Sequence, residues 1–205
     1  MQVKRGADLL EREIKQLLTE QEYAAIISSD VWSGLGKKQL LQINYYYDTP
    51  NFELFRHDIT LRVRQKEGRL NLEMKYSVAD KTTYKIKQEL SRPLDALPAT
   101  IDTAAYFPEA PVAVQAALIQ PLVTERTSIR FSDGVAVDVD KNSYLGRLDY
   151  ELEIEFSEDA YDEAYRLYKH FFADRESRTG DGKKGRFFEA YLQFMDKSLD
   201  EGDNA

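Results

Sequence analysis

The fold is decided by strands such as the one at residues 149–156, which reads Asp-Tyr-Glu-Leu-Glu-Ile-Glu-Phe. Side chains alternate between the two faces of a β-strand, so the acidic side chains share one face and the apolar side chains share the other. The segment therefore predicts an amphipathic strand with one face suited to a core. The other face suits water or a charged ligand.

The same composition recurs along the chain and predicts a protein of about eight strands. The strands are expected at residues 8–15, 39–48, 59–66, 70–76, 82–90, 124–132, 135–140 and 148–156. Short gaps such as Glu67-Gly68-Arg69 and Ser132-Asp133-Gly134 are typical of hairpin turns, which favours antiparallel pairing.

Four helices are expected besides these strands, at residues 19–30, 111–119, 159–173 and 187–199. The last two place aromatic side chains at helical spacing and need an apolar surface to cover. The sequence thus predicts an α+β protein that is mainly antiparallel β, folded as a single domain over residues 1–205. If the sheet closes into a barrel with the helices packed outside, the apolar faces lie beneath them and the charged faces line the interior.

The charged faces are clustered by sign. Arg62 and Arg64 share a face of one predicted strand, whereas Glu151 and Glu153 share a face of another. Buried charges are tolerated when they are paired or bind a ligand or metal, and the ligand that fits both signs is a polyanion accompanied by divalent cations. The alternative from the same residues is an ordinary antiparallel sheet whose charged face lies in water.

Composition excludes several classes of protein. The chain has 28 Lys and Arg against 36 Asp and Glu, a net charge of −8, which argues against DNA binding through a basic surface. It has 13 Tyr and 10 Phe, so it is not a disordered acidic chain. With no Cys and only 2 His, a metal would have to be held by carboxylates, which suits Mg²⁺ or Mn²⁺.

No apolar run approaches a membrane span and no secretory signal is evident, so a cytoplasmic protein without membrane contact is expected. A homodimer is expected only from general frequency.

An ordered series of motifs carries a family resemblance. It begins with Glu11-Arg12-Glu13-Ile14-Lys15 and ends with Lys183-Lys184-Gly185-Arg186. Between them stand Tyr46-Tyr47-Asp48-Thr49, Leu61-Arg62-Val63-Arg64, Glu73-Met74-Lys75, Lys87-Gln88-Glu89, Arg126 with Arg130, Asp140, Tyr144-Leu145-Gly146 and Asp149-Tyr150-Glu151-Leu152-Glu153. This series resembles the signature of the CYTH superfamily, the triphosphate tunnel metalloenzymes, and most resembles the bacterial proteins that consist of this domain alone.

The resemblance implies an eight-stranded closed tunnel that binds a small triphosphate with Mg²⁺ or Mn²⁺. The implied activity is a metal-dependent triphosphatase that hydrolyses the terminal phosphate of inorganic tripolyphosphate, thiamine triphosphate or a nucleoside triphosphate. Two alternatives stay open: a class IV-type adenylate cyclase that makes cyclic AMP from ATP, and a non-catalytic module that binds polyphosphate or a nucleotide.

The resemblance also implies roles for individual residues. The metal ligands would be Glu11, Glu13, Asp140, Glu151 and Glu153. Lys15 would act in catalysis beside Glu11 and Glu13, in contact with the terminal phosphate or the attacking water. The phosphate ligands would be Arg62, Arg64, Lys75, Lys87, Arg126, Arg130 and Lys183. Asp138 is an alternative to Asp140, and Lys184 an alternative to Lys183. Salt bridges to Glu73 and Glu89 are the alternative role for the basic side chains.

Overall fold

The computed structural model describes residues 12–81, 84–173, 178 and 182–202. Side chains are described for these residues except at 78–81, 84–87 and 197–202. Two predicted site residues are affected: Glu11 lies outside the described residues, and the side chain of Lys87 is not described.

Nine strands lie in the described residues, and most match the predicted segments. They are β1 Glu13–Leu18, β2 Lys37–Asp48, β3 Thr60–Lys66, β4 Arg69–Lys81, β5 Tyr84–Leu94, β6 Thr100–Asp102, β7 Gln115–Arg130, β8 Val135–Tyr144 and β9 Arg147–Phe156. Five α-helices accompany them. They are α1 Glu20–Ile27, α2 Glu53–Arg56, α3 Thr103–Tyr106, α4 Tyr161–Phe172 and α5 Lys183–Gly202.

The strands pair in the order β1-β9-β8-β7-β2-β3-β4-β5, with the short β6 pairing β7. The registered pairs, β1 with β9 and β3 with both β2 and β4 among them, are antiparallel. The predicted class, an α+β protein that is mainly antiparallel β, is confirmed. The order begins at β1 and ends at β5, and hydrogen bonds between those two strands are not found among the described residues.

The chain forms two compact units. The first unit contains residues 1–39, 126–141 and 149–179, and the second contains residues 40–125, 142–148 and 180–205. Each unit draws on three separate stretches, so the division does not follow a single boundary along the sequence. The single domain over residues 1–205 stays a prediction.

In the first unit, the apolar face of the acidic strand lies in a core. Leu152 and Ile154 are buried in one hydrophobic cluster with Leu167 and Phe172 of α4 and Ile26 of α1. The hydroxyl of Tyr168 on α4 donates to Gln16 of β1 at 3.0 Å, which ties this helix to the sheet. The predicted covering of the apolar strand faces by aromatic helices is therefore observed in this unit.

The second unit has two apolar clusters. One joins Leu61 and Val63 of β3 with Leu72 and Met74 of β4. The other packs Phe187 and Phe188 of α5 against Tyr46, with the Tyr46 and Phe187 ring centroids 4.6 Å apart. Leu61 and Val63 are buried on one face of β3, and Arg62 and Arg64 lie on the other face, as the alternation predicts.

The helix predicted at residues 111–119 is wrong. Residues 115–119 belong to β7, and Ala116 pairs with Ile101 of β6. Ala116 is buried in the same cluster as Leu61 and Val63. The alanine-rich composition favours a helix locally, but pairing and burial of this segment outweigh that weak preference. None of the helices in the described part of the chain is long and apolar enough to cross a membrane.

Gly134, in the turn between β7 and β8, provides a test of packing in the first unit. A Cβ at this position would lie 2.7 Å from Ala160 Cβ and 2.8 Å from Ser157 Oγ. Gly134→Ala should therefore lower the free energy of unfolding by about 1–3 kcal/mol, because those neighbours must move. Urea denaturation measures this loss.

Gly36→Ala is the matched control, since no heavy atom lies within 4 Å of a Cβ built at Gly36. Its effect should stay within roughly 0.5 kcal/mol. Equal stability of the two variants would contradict the close packing at Gly134.

Candidate active site

Lys15 of β1 contacts a buried glutamate of β9 in the first unit. The antiparallel register sets Lys15 opposite Glu153. The Lys15 Nζ lies 3.2 Å from Glu153 Oε1 and 3.1 Å from Glu13 Oε2. Burial alone would lower the pKa of Lys15, but Glu153, Glu13 and Glu151 together outweigh burial and raise this pKa above its ordinary value. Lys15 is therefore positively charged at neutral pH.

The guanidinium of Arg126 on β7 is shared by three carboxylates. Its Nε and Nη2 donate to the two oxygens of Asp140, each at 2.7 Å, and Nη2 also donates to Glu153 Oε2 at 2.7 Å. Its Nη1 donates to Asp138. Burial alone would lower the pKa of Arg126, but hydrogen bonding and charge at Asp140, joined by Asp138 and Glu153, raise it above its usual range.

Three carboxylates of β8 and β9 could hold a cation. One oxygen from each of Asp138, Glu153 and Glu155 lies within 4.8 Å of the others. Burial raises the pKa of Asp138, and Asp140 and Glu153 raise it further, whereas Arg126 and the hydroxyl of Ser128 offset only part of this. Carboxylate oxygens at this spacing match the ligands that Mg²⁺ and Mn²⁺ prefer. The residues present therefore fit a divalent metal.

The sequence predicts a different set of metal ligands from these three carboxylates. Asp138 and Glu155 stand beside Glu153, whereas both oxygens of Asp140 accept hydrogen bonds from Arg126. Glu151, two residues before Glu153 on the same face, is also buried. Because Glu151 and Glu153 are buried, the charged face of β9 does not lie in water at the centre of the strand. The assignment of metal ligands from the sequence stays a prediction.

The second unit carries the predicted basic residues of β3 and β4. Arg62 lies opposite Glu73 in the register, and its Nε and Nη2 lie 2.8 Å and 2.7 Å from Glu73 Oε2. Arg64 Nη1 lies 3.7 Å from the same oxygen. Lys75 Nζ lies 3.7 Å from Glu89 Oε2. Each basic side chain thus has an acidic neighbour, and the face as a whole combines Arg62, Arg64 and Lys75 with two carboxylates.

Asn44 of β2 was missed by the sequence reasoning. Its Oδ1 accepts a hydrogen bond from Arg64 Nε at 3.2 Å, and the residue is buried. Burial lowers the pKa of Arg64, and the neighbouring Arg62 adds to this effect. The signal was available in the sequence, because Gln42 and Asn44 are two residues apart in a strand and so share a face.

The remaining predicted phosphate ligands lie at other positions. Lys183 begins α5 in the second unit, while its neighbour Lys184 forms a salt bridge of 3.0 Å with Asp58. Arg130 of the first unit is exposed and lies 4.0 Å from Asp133, beside a pocket of about 400 Å³ that Arg12 and Glu155 also line. Arg130 is therefore not among the groups that contact Glu153.

The structure brings together Glu13, Lys15, Arg126, Asp138, Asp140 and Glu153 in the first unit. It brings together Arg62, Arg64 and Glu73 in the second. Carboxylates beside a lysine and an arginine in the first unit, and a strand face with two arginines in the second, are groups of the kinds that bind metal ions and phosphates.

Comparison with protein families identifies the class. The model of the CYTH domain matches residues 9–177, which is most of the chain. This chain therefore belongs to the CYTH domain family.

Individual relatives agree with this family. The chain is 32% identical over 158 residues to "Putative triphosphatase YjbK" of Bacillus subtilis (strain 168), a match that covers 71% of this chain and 77% of that protein. The solved structure of a "putative adenylate cyclase" from Bacillus halodurans superposes with a TM-score of 0.63 at 25% identity, covering 87% of this chain and 97% of that one. HpAC1 from Hippeastrum, reported with a dominant triphosphatase activity, shares the fold with a TM-score of 0.63 at 20% identity, over 88% and 96% of the two chains.

Arg126→Gln should lower the free energy of unfolding by about 3–5 kcal/mol, because it leaves Asp138, Asp140 and Glu153 without their shared counter-charge. The loss should shrink as the pH falls, since the raised pKa of Asp138 lets this carboxylate take up a proton first, which relieves part of the repulsion. Urea denaturation at several pH values measures both effects.

Arg130→Gln is the matched control on the same strand, because the Arg130 side chain is 75% exposed. It should change stability by less than about 0.5 kcal/mol. A loss as large as that of Arg126→Gln would show that general positive charge, rather than the shared guanidinium, stabilises the unit.

Proposed function

We propose that this chain is a divalent-metal-dependent triphosphatase that hydrolyses the terminal phosphate of a small triphosphate. The observation that carries the proposal is the group of carboxylates on β8 and β9, in which Glu153 is buried, Asp138 partly buried and Glu155 exposed, with Lys15 in contact with Glu153. A site that only bound anions would gain little from buried carboxylates, whereas a metal-assisted phosphatase needs them. The 32% identity to a protein named as a triphosphatase supports the same activity.

The metal would be Mg²⁺ or Mn²⁺, held by Asp138, Glu153 and Glu155 from the described group. Glu11, Glu13, Asp140 and Glu151 remain the further ligands that the sequence proposes. When bound, such an ion neutralises charge on the phosphate oxygens and makes a bound water more acidic. Arg126 orients two of the carboxylates, because its nitrogens contact Asp140 and Glu153 at hydrogen-bond distance.

Lys15 is the proposed catalytic residue. Its raised pKa keeps it protonated across the neutral range, so it can donate a hydrogen bond to a terminal phosphate oxygen but cannot act as a base there. Its contacts with Glu13 and Glu153 hold the ammonium beside the carboxylates. Lys15→Met should therefore lower kcat more than it raises KM.

The phosphate ligands proposed in the second unit are Arg62, Arg64, Lys75 and Lys183, with Lys87 added from the sequence. Guanidinium groups bind phosphate oxygens in pairs of hydrogen bonds, which suits a chain of phosphates better than isolated ammonium groups do. Arg126 and Arg130 stay predictions as phosphate ligands. The cytoplasmic location, the homodimer and the absence of DNA and membrane contact also stay predictions.

A second candidate activity is an adenylate cyclase, which the likeness to the Bacillus halodurans protein favours. A cyclase would use the ribose hydroxyl of ATP as the nucleophile in place of water. The two activities release different products from ATP: orthophosphate for the hydrolase and pyrophosphate with cyclic AMP for the cyclase.

A substrate panel tests both activities. With Mg²⁺ or Mn²⁺, the chain should release orthophosphate from tripolyphosphate, thiamine triphosphate or ATP. Formation of cyclic AMP without orthophosphate would support the cyclase in place of the hydrolase. Inactivity on every substrate with either metal would contradict both enzymes and support a binding module.

Glu153→Gln should lower kcat about 100-fold or more and raise the Mn²⁺ concentration needed for half-maximal rate, because one metal ligand is lost. Glu158→Gln is the matched control, since Glu158 is largely exposed and pairs with Arg12. Unchanged kinetics in Glu153→Gln would show that this carboxylate does not hold the metal.

A further inference from the structure

Glu73 occupies a position between the two arginines proposed to bind phosphate. Its Oε2 lies 2.7 Å from Arg62 Nη2, 2.8 Å from Arg62 Nε and 3.7 Å from Arg64 Nη1. The Glu73 side chain is 13% exposed and that of Arg62 is 18% exposed. This carboxylate is therefore a partly buried counter-charge within the basic face of the second unit.

The contact uses the part of Arg62 that a phosphate would need. Nε and Nη2 form one of the edges through which a guanidinium binds an oxyanion with two parallel hydrogen bonds. Both of these nitrogens donate to the same oxygen of Glu73. A phosphate that binds this edge must displace Glu73 or share the nitrogens with it.

A purely structural salt bridge would also pair these residues, since Arg62 and Glu73 are opposite each other in the strand register. The position of Arg64 is not explained by that pairing alone. Arg64 forms a longer salt bridge with the same carboxylate and donates a hydrogen bond to Asn44, so two guanidinium groups are oriented around one negative charge. Such an arrangement is what an anion would meet if it replaced the carboxylate.

We propose that Glu73 is an internal anion that a bound polyphosphate displaces from Arg62, so that it sets a threshold of affinity that a ligand must exceed to bind. This inference rests on the proposed function, because it assumes that the ligand is a phosphate chain. Displacement costs the same for every anion that uses this edge. An anion with few other contacts therefore binds too weakly to occupy the site, whereas a triphosphate gains enough additional contacts to bind.

The device keeps orthophosphate, the product of the proposed reaction, from filling the site. Removing the charge of Glu73 should strengthen the binding of tripolyphosphate and of orthophosphate alike. Product inhibition by orthophosphate should then appear at lower concentration. Glu73 thus weakens the binding of all anions equally, and at a given concentration only an anion with enough additional contacts occupies the site.

The test compares Glu73→Gln with the unsubstituted chain in metal-free buffer, using tripolyphosphate and orthophosphate as probes in titration calorimetry. Glu73→Gln should bind both probes about tenfold more tightly, equivalent to roughly 1.4 kcal/mol. Its melting temperature without ligand should fall, because Arg62 loses its counter-charge, and tripolyphosphate should raise that temperature more than it does in the unsubstituted chain.

Glu109→Gln is the matched control. Glu109 also forms a salt bridge with an arginine of the second unit, Arg92, but it lies in a turn, outside the strands that carry Arg62, Arg64 and Glu73. It removes the same charge and should leave both dissociation constants unchanged. A matching gain of affinity in Glu109→Gln would overturn the proposal, since net charge would then explain the effect.

The outcomes separate this inference from the function on which it rests. Tripolyphosphate that binds the unsubstituted chain and Glu73→Gln equally overturns the role of Glu73 and leaves the triphosphatase standing. Absence of tripolyphosphate binding in every variant, both in metal-free buffer and with Mg²⁺ or Mn²⁺, overturns both.

A measurement on the unsubstituted chain does not depend on the folding of any variant. The arginine Nε–H signals can be followed by NMR while tripolyphosphate is added, and the Arg62 signal can be assigned from Arg62→Lys. Displacement of Glu73 should shift that signal at saturation. A signal that stays in place while tripolyphosphate binds overturns the proposal.

Discussion

The first unit depends on one guanidinium that compensates several buried carboxylates. Arg126 contacts Asp138, Asp140 and Glu153, which would otherwise repel one another on adjacent strands away from water. Buried ion pairs are costly to assemble, yet much more costly to leave half made. Arg126 therefore links β7 to β8 and β9 through one set of ion pairs.

In the second unit the shared charge is negative and the groups around it are positive. Arg62 and Arg64 share Glu73, so the excess charge is positive, whereas around Arg126 it is negative. Neither group is neutral by itself. An excess of carboxylate attracts a cation and an excess of guanidinium attracts an anion, which agrees with the metal and the phosphate chain that we propose as ligands of this CYTH protein.

Local pattern predicted the strands well because period-two alternation is visible in a few residues. Leu61 and Val63 are buried opposite Arg62 and Arg64, as alternation alone requires. The prediction of a helix at 111–119 failed because its alanines favour a helix only weakly, and the pairing of Ala116 with Ile101 outweighs that local preference. The partners of the charged residues were also not predicted in detail. Asn44 was not expected beside Arg64, and Asp138 was only an alternative to Asp140 as a metal ligand.

The sequence by itself determined which side chains share a strand face and which sign each face carries, because alternation is a local property of an extended chain. Only the tertiary structure decided which charges meet. Asp140 is taken by Arg126, whereas Asp138 and Glu155 stand beside Glu153, although the sequence ranked these carboxylates differently. The reason is physical: the partners come from different strands, and their distances depend on the register and packing of those strands, which no local pattern contains.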